Sequence, residues 1–129
     1  MKKLTIIAAA TVVFAVGCGK TSAGDDATGG GAKHKIAYVT NGIDPFWDLC
    51  AAGVRQAESE LGGVECEIHF PPKGLADQKS ILETLLAKGI AGIAESQIDA
   101  DGQTQFLNEV AGQTKMITHD ADAPNSNRL

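Results

Sequence analysis

From Lys35 onward, hydrophobic and polar positions follow two alternating periods. Lys35–Thr40 is a short apolar run of β type. The next stretch carries Phe46, Leu49, Cys50, Gly53, Val54, Ala57 and Leu61 at helical spacing, one apolar stripe that Gly62-Gly63 brings to an end. Val64–Phe70 predicts a second strand, stopped by Pro71-Pro72. A second helix over about Ala76–Lys88 has Ile81, Leu82, Leu85 and Leu86 on one face, with Gly89 just past its end. A short apolar run, Ile90–Glu95, predicts the third strand. Phe106, Leu107, Val110 and Ala111 mark a third helix over about Asp101–Ala111, and Lys115–Thr118 predicts a fourth strand. Helices between strands at these lengths imply right-handed β-α-β units, hence an α/β, doubly wound parallel sheet with the order 2-1-3-4. Four polar loops then fall on its carboxyl edge, where such sheets bind ligands: Thr40–Asp44, Lys73, Ser96–Asp99 and His119–Asp122. Phe46 is in phase with its stripe and open to a packing role, whereas Trp47 falls outside it and is predicted to face the crevice.

Composition narrows the function. The chain has 129 residues, 43% of them hydrophobic, which suits one packed domain. Its charge of −5 and scattered basic residues argue against nucleic acid as a partner. Lys2 and Lys3 are the exception: a positive start, an apolar run from Leu4 to Val16 and small Gly17 read as an export signal over residues 1–17. Removing it takes away two lysines and no acid, moving the charge from −5 to −7. Ala15-Val16-Gly17-Cys18 resembles the lipobox of bacterial lipoproteins, although Ala15 stands where Leu is usual. That resemblance implies cleavage before Cys18 and a membrane anchor through its lipidation; plain secretion is the alternative. Residues 18–33, rich in Gly, Ser, Thr and Asp, have too little apolar content to order themselves and read as a tether. Gly17-Cys18-Gly19-Lys20-Thr21 imitates the end of a phosphate-binding loop, but Phe14 occupies the place of its first Gly.

Catalytic and metal chemistry find little support. His34, His69 and His119 have no partners at i+4, and Cys50 and Cys66 do not form a C-x-x-C pair, so no metal, redox centre or other cofactor is indicated. A Cys50–Cys66 bridge is also disfavoured. The helix carries the chain about 16 Å away from Cys50 and the strand returns only about 7 Å, leaving more than a disulfide spans. Asp44, Asp120 and Asp122 suit hydroxyl binding better than acid–base work, because nothing in the sequence separates their pKa values.

Thr40-Asn41-Gly42-Ile43-Asp44-Pro45-Phe46-Trp47, taken with Ile117-Thr118-His119-Asp120-Ala121-Asp122-Ala123-Pro124, resembles the periplasmic sugar-binding proteins of ABC transporters, in particular the ribose-binding-like group. The resemblance covers about Lys35–Leu129. It implies that Phe46 and Trp47 stack on a monosaccharide ring, that Asp44 and Asp120 hold its hydroxyls, and that Thr40 and Asn41 shape the cleft. Asp122 is either a further acceptor or a turn former. A sugar has apolar C–H faces and a rim of hydroxyls, so aromatic surface beside carboxylates is the chemistry it requires. Ala121 stands where the ribose binders carry Arg, which sets ribose itself apart. The resemblance further implies a location in the periplasm or cell envelope and an ABC permease as partner, with a sugar-sensing module for a chemoreceptor or kinase as the alternative. Residues 34–129 are expected to be part of the N-terminal lobe of a two-lobed protein, and a truncated piece of this kind to hold half a site and bind little.

Overall fold

The computed structural model describes residues 32–129; the leader, Cys18 and most of the tether lie outside the described residues. Strands β1 (His34–Val39), β2 (Val64–His69), β3 (Gly92–Glu95) and β4 (Lys115–Thr118) alternate with helices α1 (Pro45–Leu61), α2 (Leu75–Ala87) and α3 (Thr104–Ala111). All strand pairs are parallel and the order is β2-β1-β3-β4, the order expected from the sequence.

Alternation along the strands divides the sheet into two faces. Ala37, Val39, Ile93 and Met116 point to one side and are buried with Leu82, Leu85, Leu107 and Val110 of α2 and α3. This is the core. Ile36, Tyr38, Cys66, Ala94 and Ile117 point to the other side, where α1 covers the β1–β2 half. Cys50 and Cys66 are both free.

Local chemistry sets the element ends. The Asp44 carboxylate accepts the N–H of Phe46 at 2.8 Å and Pro45 opens α1, a strong start signal. Gly62, at φ 65°, closes it with an N–H returned to the carbonyl of Glu58. β3 starts later than expected because Ile90 still donates its N–H to Leu85 and so belongs to the end of α2. The start of α3 is delayed by the turn Asp99–Gly102, whose carboxylate leaves no room for a side chain at Gly102.

The inward face of α1 is a correction. The stripe led by Phe46 was expected to pack, yet Phe46 is 50% exposed, Leu49 75% and Leu61 69%, while Trp47 is only 3% exposed. Helix α1 carries two neighbouring apolar stripes. Trp47 lies three residues before Cys50 and seven before Val54, in phase with them, and the largest apolar surface decides which stripe turns inward.

Candidate functional site

The carboxyl edge of the sheet is built first by the turn from β1 into α1. Thr40 is fully buried, and its hydroxyl donates to the carbonyl of Gly42 at 2.6 Å, which folds the chain back at once. The Asn41 side-chain oxygen accepts the indole N–H of Trp47 at 3.2 Å, so the only tryptophan of the chain is tied to the loop before its own helix. Trp47 also meets three rings edge-on: Phe46 at 4.9 Å, His119 at 5.7 Å and Tyr38 at 6.3 Å between centroids. Phe46 is the aromatic surface left open to solvent.

The end of β4 supplies the polar half. His119 stacks on Tyr38 at 4.2 Å with 15° between the rings, and burial pushes its pKa below the ordinary histidine value, favouring the neutral imidazole. Burial, the Cys50 thiol and Asp120 raise the pKa of Tyr38, which keeps its phenol protonated. Asp120 has a left-handed backbone, φ 60°, a conformation Asp tolerates better than most residues and one that recurs at functional sites. One of its carboxylate oxygens accepts the hydroxyl of Ser96 at 3.2 Å. Asp122 is held differently: Arg128 donates to both of its oxygens, at 2.6 and 2.8 Å, and Thr118 adds a third bond at 2.8 Å. The Arg128 guanidinium holds that carboxyl below its usual range. Thr118, His119, Asp120, Asp122 and Arg128 line an open pocket of about 340 Å³. A larger open cleft, about 480 Å³, lies elsewhere along β4, around Ile90, Gly112 and Lys115, away from this chemistry.

Behind the edge lies a buried polar layer that the sequence reading passed over. Gln78 donates both amide hydrogens, to the carbonyls of Thr40 at 3.0 Å and Ser96 at 2.8 Å, and accepts from Gln103 at 3.0 Å. The Gln103 oxygen in turn takes the N–H groups of Ile98 and Asp99. Glu95 is fully buried with neither carboxylate oxygen partnered, and desolvation pushes its pKa up to about 7. The signal for this layer was present: Gln78 falls on the core face of α2, four residues before Leu82, and Glu95 is in strand phase with Ile93.

Asn41, Phe46, Trp47 and Asp120 therefore converge through the rings of Tyr38 and His119, whereas Asp44 caps a helix at the outer side and Asp122 is occupied by Arg128. A flat aromatic face beside a carboxylate with free acceptor capacity can bind a polyhydroxylated ring. Among the described residues no cluster of His, Cys, Asp or Glu is placed to hold a metal ion.

Comparison with known proteins extends this picture. The family described as the periplasmic binding protein domain matches residues 36–129. No curated protein matches the chain. Among solved structures, a solute-binding protein of an ABC transporter from Burkholderia graminis C4D1M, in complex with D-arabinose, is 25% identical with a TM-score of 0.69. The match covers 75% of this chain and 34% of that one. A sugar-binding protein of a sugar ABC transporter from Bacillus halodurans is 28% identical, with a TM-score of 0.66 over 74% of this chain and 34% of its own. An arabinose-binding protein, AraP, from Geobacillus stearothermophilus gives 25%, 0.65, 74% and 34%. The chain thus spans about a third of the length of each of these structures.

Proposed function

The chain belongs to the periplasmic binding protein domain family, and from that membership we propose that residues 34–129 form part of the N-terminal lobe of an extracytoplasmic protein that captures a monosaccharide for an ABC-type importer. The observation that carries this is the exposed ring of Phe46 at the carboxyl edge of the sheet, packed on Trp47, which in turn meets His119, the residue before Asp120. Phe46 stacks on the sugar's C–H face and Asp120 accepts its hydroxyls. Trp47 supports Phe46 from behind, and Asn41 and Thr40 fix the loop. Asp44 reaches the ligand only through the carboxylate oxygen that does not cap α1, and Asp122 only at the cost of its pairing with Arg128. The activity is binding without chemistry. With Asp44 and Asp120 at the rim and Arg128 already paired, a neutral sugar fits better than an anionic one.

The leader and Cys18 extend the reading to a lipid-anchored protein of the cell envelope, joined to its lobe by a tether over residues 18–33. Metabolic labelling with a fatty acid, lost on Cys18→Ser, tests the anchor. The binding reading is tested by following the reading frame beyond codon 129 and titrating the complete product with D-arabinose, D-ribose, D-xylose, D-glucose and D-galactose by calorimetry and tryptophan emission. Saturable binding of one sugar, weakened at least tenfold by Asp120→Ala, is the expected result. No heat and no spectral change with any of them would refute it.

A further inference from the structure

Helix α2 contributes no group to the proposed ligand face, yet it controls the two loops that do. Gln78, fully buried in its second turn, donates one amide hydrogen to the carbonyl of Thr40, where β1 ends, and the other to the carbonyl of Ser96, where β3 ends. Each anchor is one step from the site. Thr40 precedes Asn41, which holds the Trp47 indole, and Ser96 donates its hydroxyl to Asp120. The amide oxygen of Gln78 is held by Gln103, whose own oxygen secures the N–H groups of Ile98 and Asp99. A primary amide is the side chain that can give two hydrogens to two carbonyls on neighbouring strands and accept a third bond at the same time.

We propose that Gln78 is a positioning residue of the binding site: its amide sets the separation between the aromatic loop after β1 and the Asp120 carboxylate after β4, and so tunes affinity without touching the ligand. The inference rests on the sugar-binding reading for its effect on affinity, and on geometry alone for its effect on the loops.

Two substitutions separate positioning from mere packing. Gln78→Met keeps the length and removes both donors. Gln78→Glu keeps the shape; ionised, it offers no hydrogen and faces two carbonyls, and protonated it recovers one donor. Both are compared with the unaltered protein, at pH 5 and pH 8 and well below the melting transition. The readouts are the emission of Trp47 in the full 129-residue chain and, in the complete product, the dissociation constant for the sugar that the panel identifies. Glu95, whose pKa burial pushes up to about 7, titrates within this range, and burial lowers that of His119 below the ordinary histidine value, so every variant is read against the unaltered protein at the same pH.

The expected result for Gln78→Met is a shifted Trp47 emission and at least tenfold weaker sugar binding at both pH values. For Gln78→Glu the same defect is expected at pH 8 and a partial recovery at pH 5. A folded Gln78→Met protein with unchanged emission and affinity, whatever its melting temperature, would overturn the proposal, because Gln78 would then be a core amide and nothing more. If the Met variant does not fold, Gln78→Glu decides: emission and affinity matching the unaltered protein at both pH values overturn it equally. If the unaltered protein binds no sugar, the functional reading fails by itself, and the ligand-free emission still decides whether Gln78 sets the loop.

Discussion

Phe46 and Trp47 are neighbours in the chain with opposite surroundings, and their substitution separates binding from folding. Replacing the half-exposed Phe46 with Ala removes surface that only a ligand would cover, so it should cost about 1 to 3 kcal/mol of sugar affinity and little stability. Replacing Trp47 with Ala empties a buried volume and frees the Asn41 acceptor, so it should cost about 3 to 5 kcal/mol of folding free energy in urea titrations. Equal stability losses in the two variants would contradict this division. Glu95 gives a pH prediction with a definite sign. Its folded pKa of about 7 lies above the ordinary 4.5, so the folded state holds the proton more tightly, and stability from this group is full below about pH 4.5 and lost by about pH 7. A shift of that size is worth about 3 kcal/mol. His119 runs the other way: its lowered pKa favours folding above the ordinary histidine value. Subtracting the pH profile of Glu95→Gln from that of the unaltered chain isolates the Glu95 contribution, which should weaken steadily between pH 5 and 7. A Glu95→Gln variant that gains no stability over the unaltered chain at pH 8 would show that the carboxylate is solvated there.

At the scale of elements, α1 carries a conflict that one residue exposes. Asp44 caps the helix through its bond to the Phe46 N–H, at the outer side of the proposed ligand face. Asp44→Ser preserves a capping oxygen, whereas Asp44→Ala removes it and should cost about 0.5 to 2 kcal/mol in thermal or urea unfolding. If the carboxylate also meets the sugar, both variants lose affinity while only the alanine loses stability; affinity untouched in both would confine Asp44 to the cap. The same helix shows what could be read from sequence and what could not. Strand order followed from β-α-β alternation, because handed crossovers leave few topologies. The phase of α1 did not follow, because Phe46 and Trp47 each head an apolar stripe, and the larger Trp47 is turned inward against the rings of Tyr38 and His119, contacts that have no local signature. Ser96 lay in a loop expected to face the crevice, but its bond to Asp120 joins residues 24 positions apart and has no local signature. Gln78 and Glu95 were legible as polar residues at core phase and were lost within runs read as apolar.

At the scale of the whole molecule, the sheet has unequal faces. The side facing α2 and α3 is sealed, whereas on the other side α1 covers β1 and β2 and leaves β3 and β4 open around Ile36, Gly92, Ala94 and Ile117, an apolar groove of about 190 Å³. Ile117, which lines this groove from the edge strand, is 48% exposed. Among the described residues β4 is also an edge strand, where the N–H of Leu129 donates to the carbonyl of Met116. An apolar face adjoining an unpaired edge drives association, because burying it removes nonpolar surface from water and satisfies backbone groups together. Residues 32–129 alone should therefore self-associate at tens of micromolar in sedimentation velocity. Ile117→Lys places a charge on the open face two residues from Lys115, at a half-exposed position. It should weaken association severalfold and leave the circular dichroism and melting temperature nearly unchanged. Association that persists undiminished would assign it to the β4 edge, since strand pairing uses backbone groups that the substitution does not alter. A large loss of stability would show instead that Ile117 packs within the monomer, and the open face would not be open in solution.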